Sequence, residues 1–234
     1  SPKFSANVNA YYTVWGNKPL DRLPTIAEDA DDPEGNRIPV NIPGIDALHK
    51  GIEIDFAFKP NKQISIEGLT SIGDWKWVSG ETVNGVLPNG VPYEYEFDAN
   101  GVHVGDAAQL QFGGLVRYEP IKGAYLKIKT TYFGNNYSEF QPETLQGDNG
   151  GRDSWKLPSY MLSSFHMGYS FKFNDNIPLK LRFNILNLFD AVYLSDARNN
   201  DNFNSPSFED FDAKSASVFF GQGRRWSISV QANF

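Results

Sequence analysis

The chain has no cysteine, which excludes disulfides and thiolate-held metal. Histidine is scarce as well: His49, His103 and His166 are the three present, and they share no spacing that would set two of them on one metal. No stretch approaches the roughly 18 apolar residues that a membrane-crossing helix requires, so a helical membrane protein is excluded. No charged-then-apolar leader opens the sequence, and its pattern is already under way at Phe4, as in a mature form or a fragment. Cationic charge is in deficit, with 21 Lys and Arg against 28 Asp and Glu and a net charge of -7. A nucleic-acid partner, which calls for a basic surface, is therefore not expected. Aromatic residues are plentiful by contrast: eighteen Phe, eleven Tyr and five Trp in a chain whose mean hydropathy is -0.43.

Period-two alternation runs through almost the whole sequence and helical periodicity is hardly visible, the mark of strands whose two faces meet different surroundings. From Phe4, the even positions Phe4, Ala6, Val8, Ala10, Tyr12 and Val14 are oily, while Lys3, Ser5, Asn7, Asn9, Tyr11 and Thr13 are wetter. Segment 51–59 sets Ile52, Ile54, Phe56 and Phe58 against Glu53, Asp55 and Lys59, and the next sets Ile64 and Ile66 against Gln63, Ser65 and Glu67. Leu110, Phe112, Val116 and Tyr118 then oppose Gln109, Gln111 and Arg117, and in 124–133 Leu126, Ile128 and Tyr132 oppose Lys127 and Lys129. In 160–173 Met161, Phe165, Met167, Tyr169, Phe171 and Phe173 oppose Ser164, His166, Ser170 and Lys172. Leu179, Leu181, Phe183 and Ile185 oppose Lys180, Arg182 and Asn184, and Trp226, Ile228, Val230, Ala232 and Phe234 close the series. Strands of about ten residues match the roughly 9 to 11 that a tilted strand needs to cross a bilayer, where strands of soluble sheets average about five or six.

The connections alternate in strict order. "KPNK", "EPIKG" and "NDNIP" are tight turns with Pro, Gly or Asn supplying the backbone geometry. The others are long, about 16–50, 73–106, 134–159 and 190–223. Short turns at one end and long loops at the other are the plan of an outer-membrane barrel, and the expected fold is all-β, an antiparallel transmembrane β-barrel. The competing reading is a soluble antiparallel barrel or sandwich with the oily face turned inward; strand length and loop order count against it. The inward positions, among them Tyr11, Trp15, Gly51, Ala57 and Gly113, leave open whether the wall faces a plug, a channel or its own opposite side.

"LRFNILNLFDAVYL" resembles the penultimate strand of TonB-dependent receptors, and "GQGRRWSISVQANF" resembles their last strand. "GIDALHKGIEIDFAFKPNKQISIEGLTSIGDW", "GGLVRYEPIKGAYLKIKTTYFGNNY" and "KLPSYMLSSFHMGYSF" are similar, in order, to the family's preceding hairpins. The resemblance implies that residues 1–234 are the last eight strands of a barrel of twenty-two, with the N-terminal plug and earlier strands absent from this stretch. It implies a place in the cell outer membrane and energised uptake of a scarce ligand such as an iron chelate, a corrinoid or an oligosaccharide. Implied partners are outer-membrane lipid, TonB acting through the plug, the barrel-assembly machinery and a surface lipoprotein over the loops. No cofactor is expected. The alternative is a complete small eight-stranded outer-membrane barrel serving as adhesin or structural anchor.

Two roles suit the aromatics at or beyond strand ends, stacking on a ligand or anchoring at lipid headgroups. Trp75, Trp77, Tyr93, Tyr95 and Trp155 are the ligand candidates; Tyr12, Tyr118, Tyr132, Phe173 and Phe189 are the girdle candidates. Phe234, with Trp226, Ile228 and Val230, fits the terminal aromatic pattern that assembly machinery reads, although Ala232 is smaller than usual there. Enzyme readings fare poorly. Ser164 and His166 share a strand face without an acidic partner, "EDADDPEGN" places Pro33 and Glu34 where a calcium loop wants an oxygen ligand and a glycine, and "GQGRRW" leads into a strand rather than a helix.

Overall fold

The computed structural model describes residues 3–20, 23–29, 31–32, 35–105, 107–173, 177–199 and 216–232. In chain order the strands are β1 (Phe4–Lys18), β2 (Thr25–Ala27), β3 (Arg37–Pro39), β4 (Ile45–Phe58), β5 (Ile64–Trp77), β6 (Gly80–Val86) and β7 (Pro92–Asp98). They continue with β8 (Leu110–Tyr118), β9 (Ala124–Gly134), β10 (Tyr160–Phe173), β11 (Ile177–Leu186), β12 (Leu194–Asn199), β13 (Ala216–Phe220) and β14 (Arg225–Ala232). Eight of them form one antiparallel sheet in the order β1-β4-β5-β8-β9-β10-β11-β14. Neighbours in this sheet are neighbours along the chain once the small hairpins β2–β3, β6–β7 and β12–β13 in the long loops are set aside.

Register follows from the oily pattern, because a slip of one residue would turn every side chain to the other face. Phe4, Phe58, Ile66, Val116, Ile128, Phe165, Ile185 and Trp226 lie side by side in one row across all eight strands. That face is not buried: Val8 is 67%, Ile54 42% and Leu181 40% exposed. A soluble sandwich would seal these residues in a dry centre, and among the described residues no such centre covers them. The opposite face carries polar pairs, with Asn7 Nδ2 donating to Asp55 at 2.9 Å and His166 Nδ1 2.8 Å from Asn184 Oδ1. The sheet is open: among the described residues β1 and β14 do not pair, so closure into a barrel by these strands alone is not present.

The ends differ as the loop lengths foretell. At the short end Asn61 Oδ1 accepts from the backbone of Gln63 and Ile64 at 2.8 and 2.9 Å, which shapes the turn after β4. At the long end β9 and β11 are followed by Asn135 and Asn187 in left-handed backbone, φ 50° and 49°, a conformation Asn tolerates better than most residues. Asn187 exchanges side-chain hydrogen bonds with Ala191, accepting from its N–H and donating to its carbonyl, both at 2.9 Å, and donates to Gln222 at 3.2 Å. Asp190 Oδ1 accepts from Arg224 N at 2.7 Å. The "NLFDA" motif is thus a staple that holds the exit of β11 to the segment feeding β14.

The long loops fold on one another over that end. Val40, Tyr95, Phe97, Val102, Phe140 and Leu145 of these loops form a dry cluster with Ile45 of β4 and Trp77 of β5, so this core lies between the cap and the strand ends beneath it. Phe97 contacts Phe140 at 6.4 Å between ring centres, and Thr25 N donates to Glu143 at 3.1 Å. An ion pair of 3.0 Å joins Arg198 to Glu139. Arginine at Val8, Ile54 or Leu181 is expected to destabilise the protein in lipid vesicles by about 2–4 kcal/mol near the bilayer centre. Arginine at Asn9 or Asn184 should cost far less, as denaturant titration would measure, and equal penalties on both faces would contradict the assignment.

Candidate functional site

Above Ile52 and Ile72 the alternation of β4 and β5 changes sign. Ile45 and Ala47 of β4 and Trp75 and Trp77 of β5 occupy the face that carries Glu53, Asp55 and Glu67 lower down. The other face, oily below, turns to Lys50 and Asp74, which are ion-paired at 3.0 Å. The inside here meets the dry cap and the outside meets polar surroundings, so each face carries the opposite chemistry to the one it carries a few residues away.

Trp75 is fixed from several sides. Its Nε1 donates to Tyr11 Oη at 2.8 Å, and its N–H donates to Gln109 Oε1 at 2.9 Å. The buried Gln109 side chain returns a hydrogen bond to the Trp75 carbonyl at 3.1 Å and another to Val104 at 3.2 Å, taking the place of a strand neighbour. Tyr11 reaches across Gly51, where a Cβ would collide with its hydroxyl. His49 lies flat on Trp75, ring centres 5.2 Å apart and planes 10° from parallel, with Trp15 6.2 Å beyond. Trp77 donates from its N–H to Val102 at 2.9 Å, meets Phe140 edge-on at 5.7 Å, and has Lys18 Nζ 4.5 Å over its ring.

Between these groups is a cavity of about 200 Å³ whose lining includes Lys18, His49, Trp75, Trp77, Glu139 and Phe140. His49 Nε2 is buried and has no hydrogen-bond partner among the described residues. A cavity of about 150 Å³ holds a benzene ring, so this one has room for one substituted ring. Aromatic faces and a nearby ammonium suit stacking on such a ring. They assemble no nucleophile and base. On the wall, His166 Nε2 lies 3.1 Å from Ser164 Oγ, but its other nitrogen meets the Asn184 amide rather than a carboxylate. Among the described residues no three His, Asp or Glu side chains gather as a metal set.

Of the ligand candidates, Trp75 and Trp77 line the cavity. Trp77 is 6% and Tyr95 3% exposed, members of the cap core, and Tyr93 and Trp155 pack against it partly buried. Among the girdle candidates, Tyr12, Tyr118 and Tyr132 share the oily face, and Phe189 is exposed beyond the end of β11. The Phe173 side chain and Phe234 lie outside the described residues, while Trp226, Ile228 and Val230 are exposed on the oily face of β14. His49, Lys18 and Phe140 were not among the candidates. His49 is signalled by parity, because it continues inward from Glu53 and Gly51 once β4 is extended upward.

Two tyrosines of the cap are held neutral. Burial pushes the Tyr95 phenol up, Glu143 adds to the rise and Arg37 opposes it. Burial also raises Tyr137, followed by Asp153 and Asp74; its ring stacks on His103 at 4.0 Å, and His103 Nδ1 is 2.7 Å from Asp153.

No family model matches the sequence and no curated protein matches it at the sequence level. Solved structures do. The siderophore receptor PiuA from Acinetobacter baumannii matches 99% of the chain with a TM-score of 0.58 and 14% identity. The ferric yersiniabactin uptake receptor FyuA from Yersinia pestis matches 100% with 0.59 and 13%, and the ferric-catecholate import receptor Fiu from K12 E. coli 99% with 0.52 and 13%. The chain covers only 26%, 28% and 25% of those proteins. It therefore resembles the barrel portion of siderophore receptors in fold, over about a quarter of their length.

Because the folded phenol of Tyr95 is raised above its ordinary value, its stabilising contribution is present below about pH 10, the unfolded value, and is lost as pH climbs toward the folded one. The cap is expected to loosen in strong alkali, read by near-ultraviolet circular dichroism. Tyr95 Oη is also buried without a hydrogen-bond partner among the described residues, so Tyr95→Phe should stabilise the cap at neutral pH by about 1 kcal/mol and weaken that alkaline transition. A destabilised Tyr95→Phe protein would show that the hydroxyl is satisfied after all.

Proposed function

We propose that this chain is the C-terminal barrel wall and loop cap of a TonB-dependent outer-membrane receptor of the twenty-two-stranded type, which takes up a scarce ligand under energy supplied through TonB. The observation that carries the reading is the exposed apolar row in register across eight strands, together with a dry core confined to the cap and the strand ends beneath it. Such a sheet has its lowest free energy with hydrocarbon on one face, provided its backbone edges are paired. The likeness in fold to siderophore receptors supports the same assignment. Pairing at the two open edges falls to strands outside residues 1–234, and the plug, the TonB contact, the assembly machinery and a surface lipoprotein belong to the same proposal. A complete eight-stranded barrel acting as adhesin or anchor would need β1 and β14 paired, which the sheet order does not support.

The aromatic cavity is the proposed first contact for one ring of the ligand, whether that ring belongs to an iron chelate, a corrinoid or an oligosaccharide. Carbonate extraction of cell envelopes tests location: the protein should remain in the membrane pellet, and quantitative release would contradict the proposal. Growth of a strain that depends on this receptor, offered each of the three ligand classes in turn, tests uptake. For the class that sustains growth, Trp75→Ala should weaken binding by about 1–3 kcal/mol, about 5- to 150-fold in apparent affinity. Unchanged affinity would remove the cavity from the ligand path.

A further inference from the structure

The inner face of the wall is divided by charge. On β4 and β5 it carries Glu53, Asp55 and Glu67 and no Lys or Arg, whereas on β8 to β11 and β14 no carboxylate points inward. The basic sector is ordered in depth. Lys129 and Arg225 share one inward row; Lys127 lies in the next row toward the short turns, then Arg182, then Lys180, then Lys172. Successive rows are two residues apart, about 7 Å along a strand, which is within the screening length of about 8 Å at physiological salt. An anion moving down this sector enters the field of one cation before leaving that of the last.

The arrangement is costly without a counter-charge. Arg117 stands directly opposite Lys127 in the β8–β9 register, a like-charge pair that destabilises a sheet. Arg117 is partly relieved by Glu119 at 2.8 Å and lies over the Tyr125 ring at 4.3 Å. The six ladder residues have no ion pair among the described residues. Four of the six are lysines, hydrated point charges on flexible stems that suit passing contacts, where a fixed protein joint would favour the planar fork of arginine. Rows of cations in a pore select anions by the same physics.

We propose that this sector is a track for a small polyanionic solute, one bearing several carboxylate, phosphate or phenolate oxygens, leading from mid-wall to the short-turn end. The inference rests on the reading of the sheet as a transmembrane wall and narrows the cargo of that same passage. To test it, the complete receptor polypeptide in neutral detergent is labelled with a small uncharged amine reagent and read by mass spectrometry, with tripolyphosphate as the probe. A neutral trisaccharide and sodium chloride of matched ionic strength are the controls. Labelling of Lys127, Lys129, Lys172 and Lys180 should fall about fivefold or more with tripolyphosphate alone, as a focused field predicts, while the outward-facing Lys50 and Lys76 hardly change. Arg182→Gln, and separately Lys180→Gln, should weaken that protection about tenfold with Lys50 and Lys76 labelling unaltered. Equal protection at Lys50 and Lys76 would overturn the track, since it reports only a diffuse ion atmosphere. Ladder lysines already unreactive before the probe is added would overturn it too, by giving the face to an acidic protein segment. Either result leaves the barrel reading standing if the protein resists carbonate, so the two failures are distinguishable.

Discussion

Every feature of this molecule depends on where water is excluded along the two faces of one sheet. A paired strand satisfies its own backbone, and the side chains then decide which environment each face tolerates. Over most of the sheet the outer face is apolar and unburied while the inner face is polar. Near the long loops the inner face becomes apolar, because Trp75, Trp77, Ile45 and Ala47 are covered by the cap, and the outer face acquires the Lys50–Asp74 pair. The same two strands thus serve two solvents, and the level at which their chemistry inverts is where the aromatic cavity lies.

That inversion explains which parts of the architecture were legible in the sequence. All eight sheet strands and the alternation of short and long connections follow from period two, since each strand keeps one face apolar for most of its length. The start of β4 did not follow. Reading from Gly51 misses 45–50, where Ile45, Ala47 and His49 face inward and the even-position rule no longer describes the oily side. The hairpins β6–β7 and β12–β13 fall within stretches that read as loops, because neither shows the long two-sided alternation of the wall strands: β6–β7 packs Val83, Tyr93, Tyr95 and Phe97 on the cap core, and β13 leaves Val218, Phe219 and Phe220 exposed. Tyr95 and Phe97 do alternate with Glu94 and Glu96, which is the signal that a second, smaller sheet was present.

The candidate site was legible in part for a related reason. Trp75 and Trp77 stand out as large rings beside polar residues, whereas His49, Lys18 and Phe140 come from three separate stretches and meet only through the fold. Sequence reasoning assigns a ring to ligand or lipid by its position at a strand end. The structure adds a third environment, the dry interior of the cap, and Tyr95 belongs to it. The "NLFDA" motif likewise gains a physical meaning: Asn187 and Asp190 adopt left-handed backbone and tie the β11 exit to Gln222 and Arg224. The charge division of the inner wall was present in the same alternating strings, but it emerges only when register places Lys129 beside Arg225 and Lys127 one row below.

The most direct test is spin labelling at successive positions of β11 from Leu179 to Ile185 in lipid vesicles, comparing collisions with apolar oxygen and with a water-soluble nickel chelate. If hydrocarbon covers the oily face, oxygen access should peak at 179, 181, 183 and 185 and nickel access at 180, 182 and 184. High nickel access at the odd positions, or the loss of the two-residue period, would contradict the account.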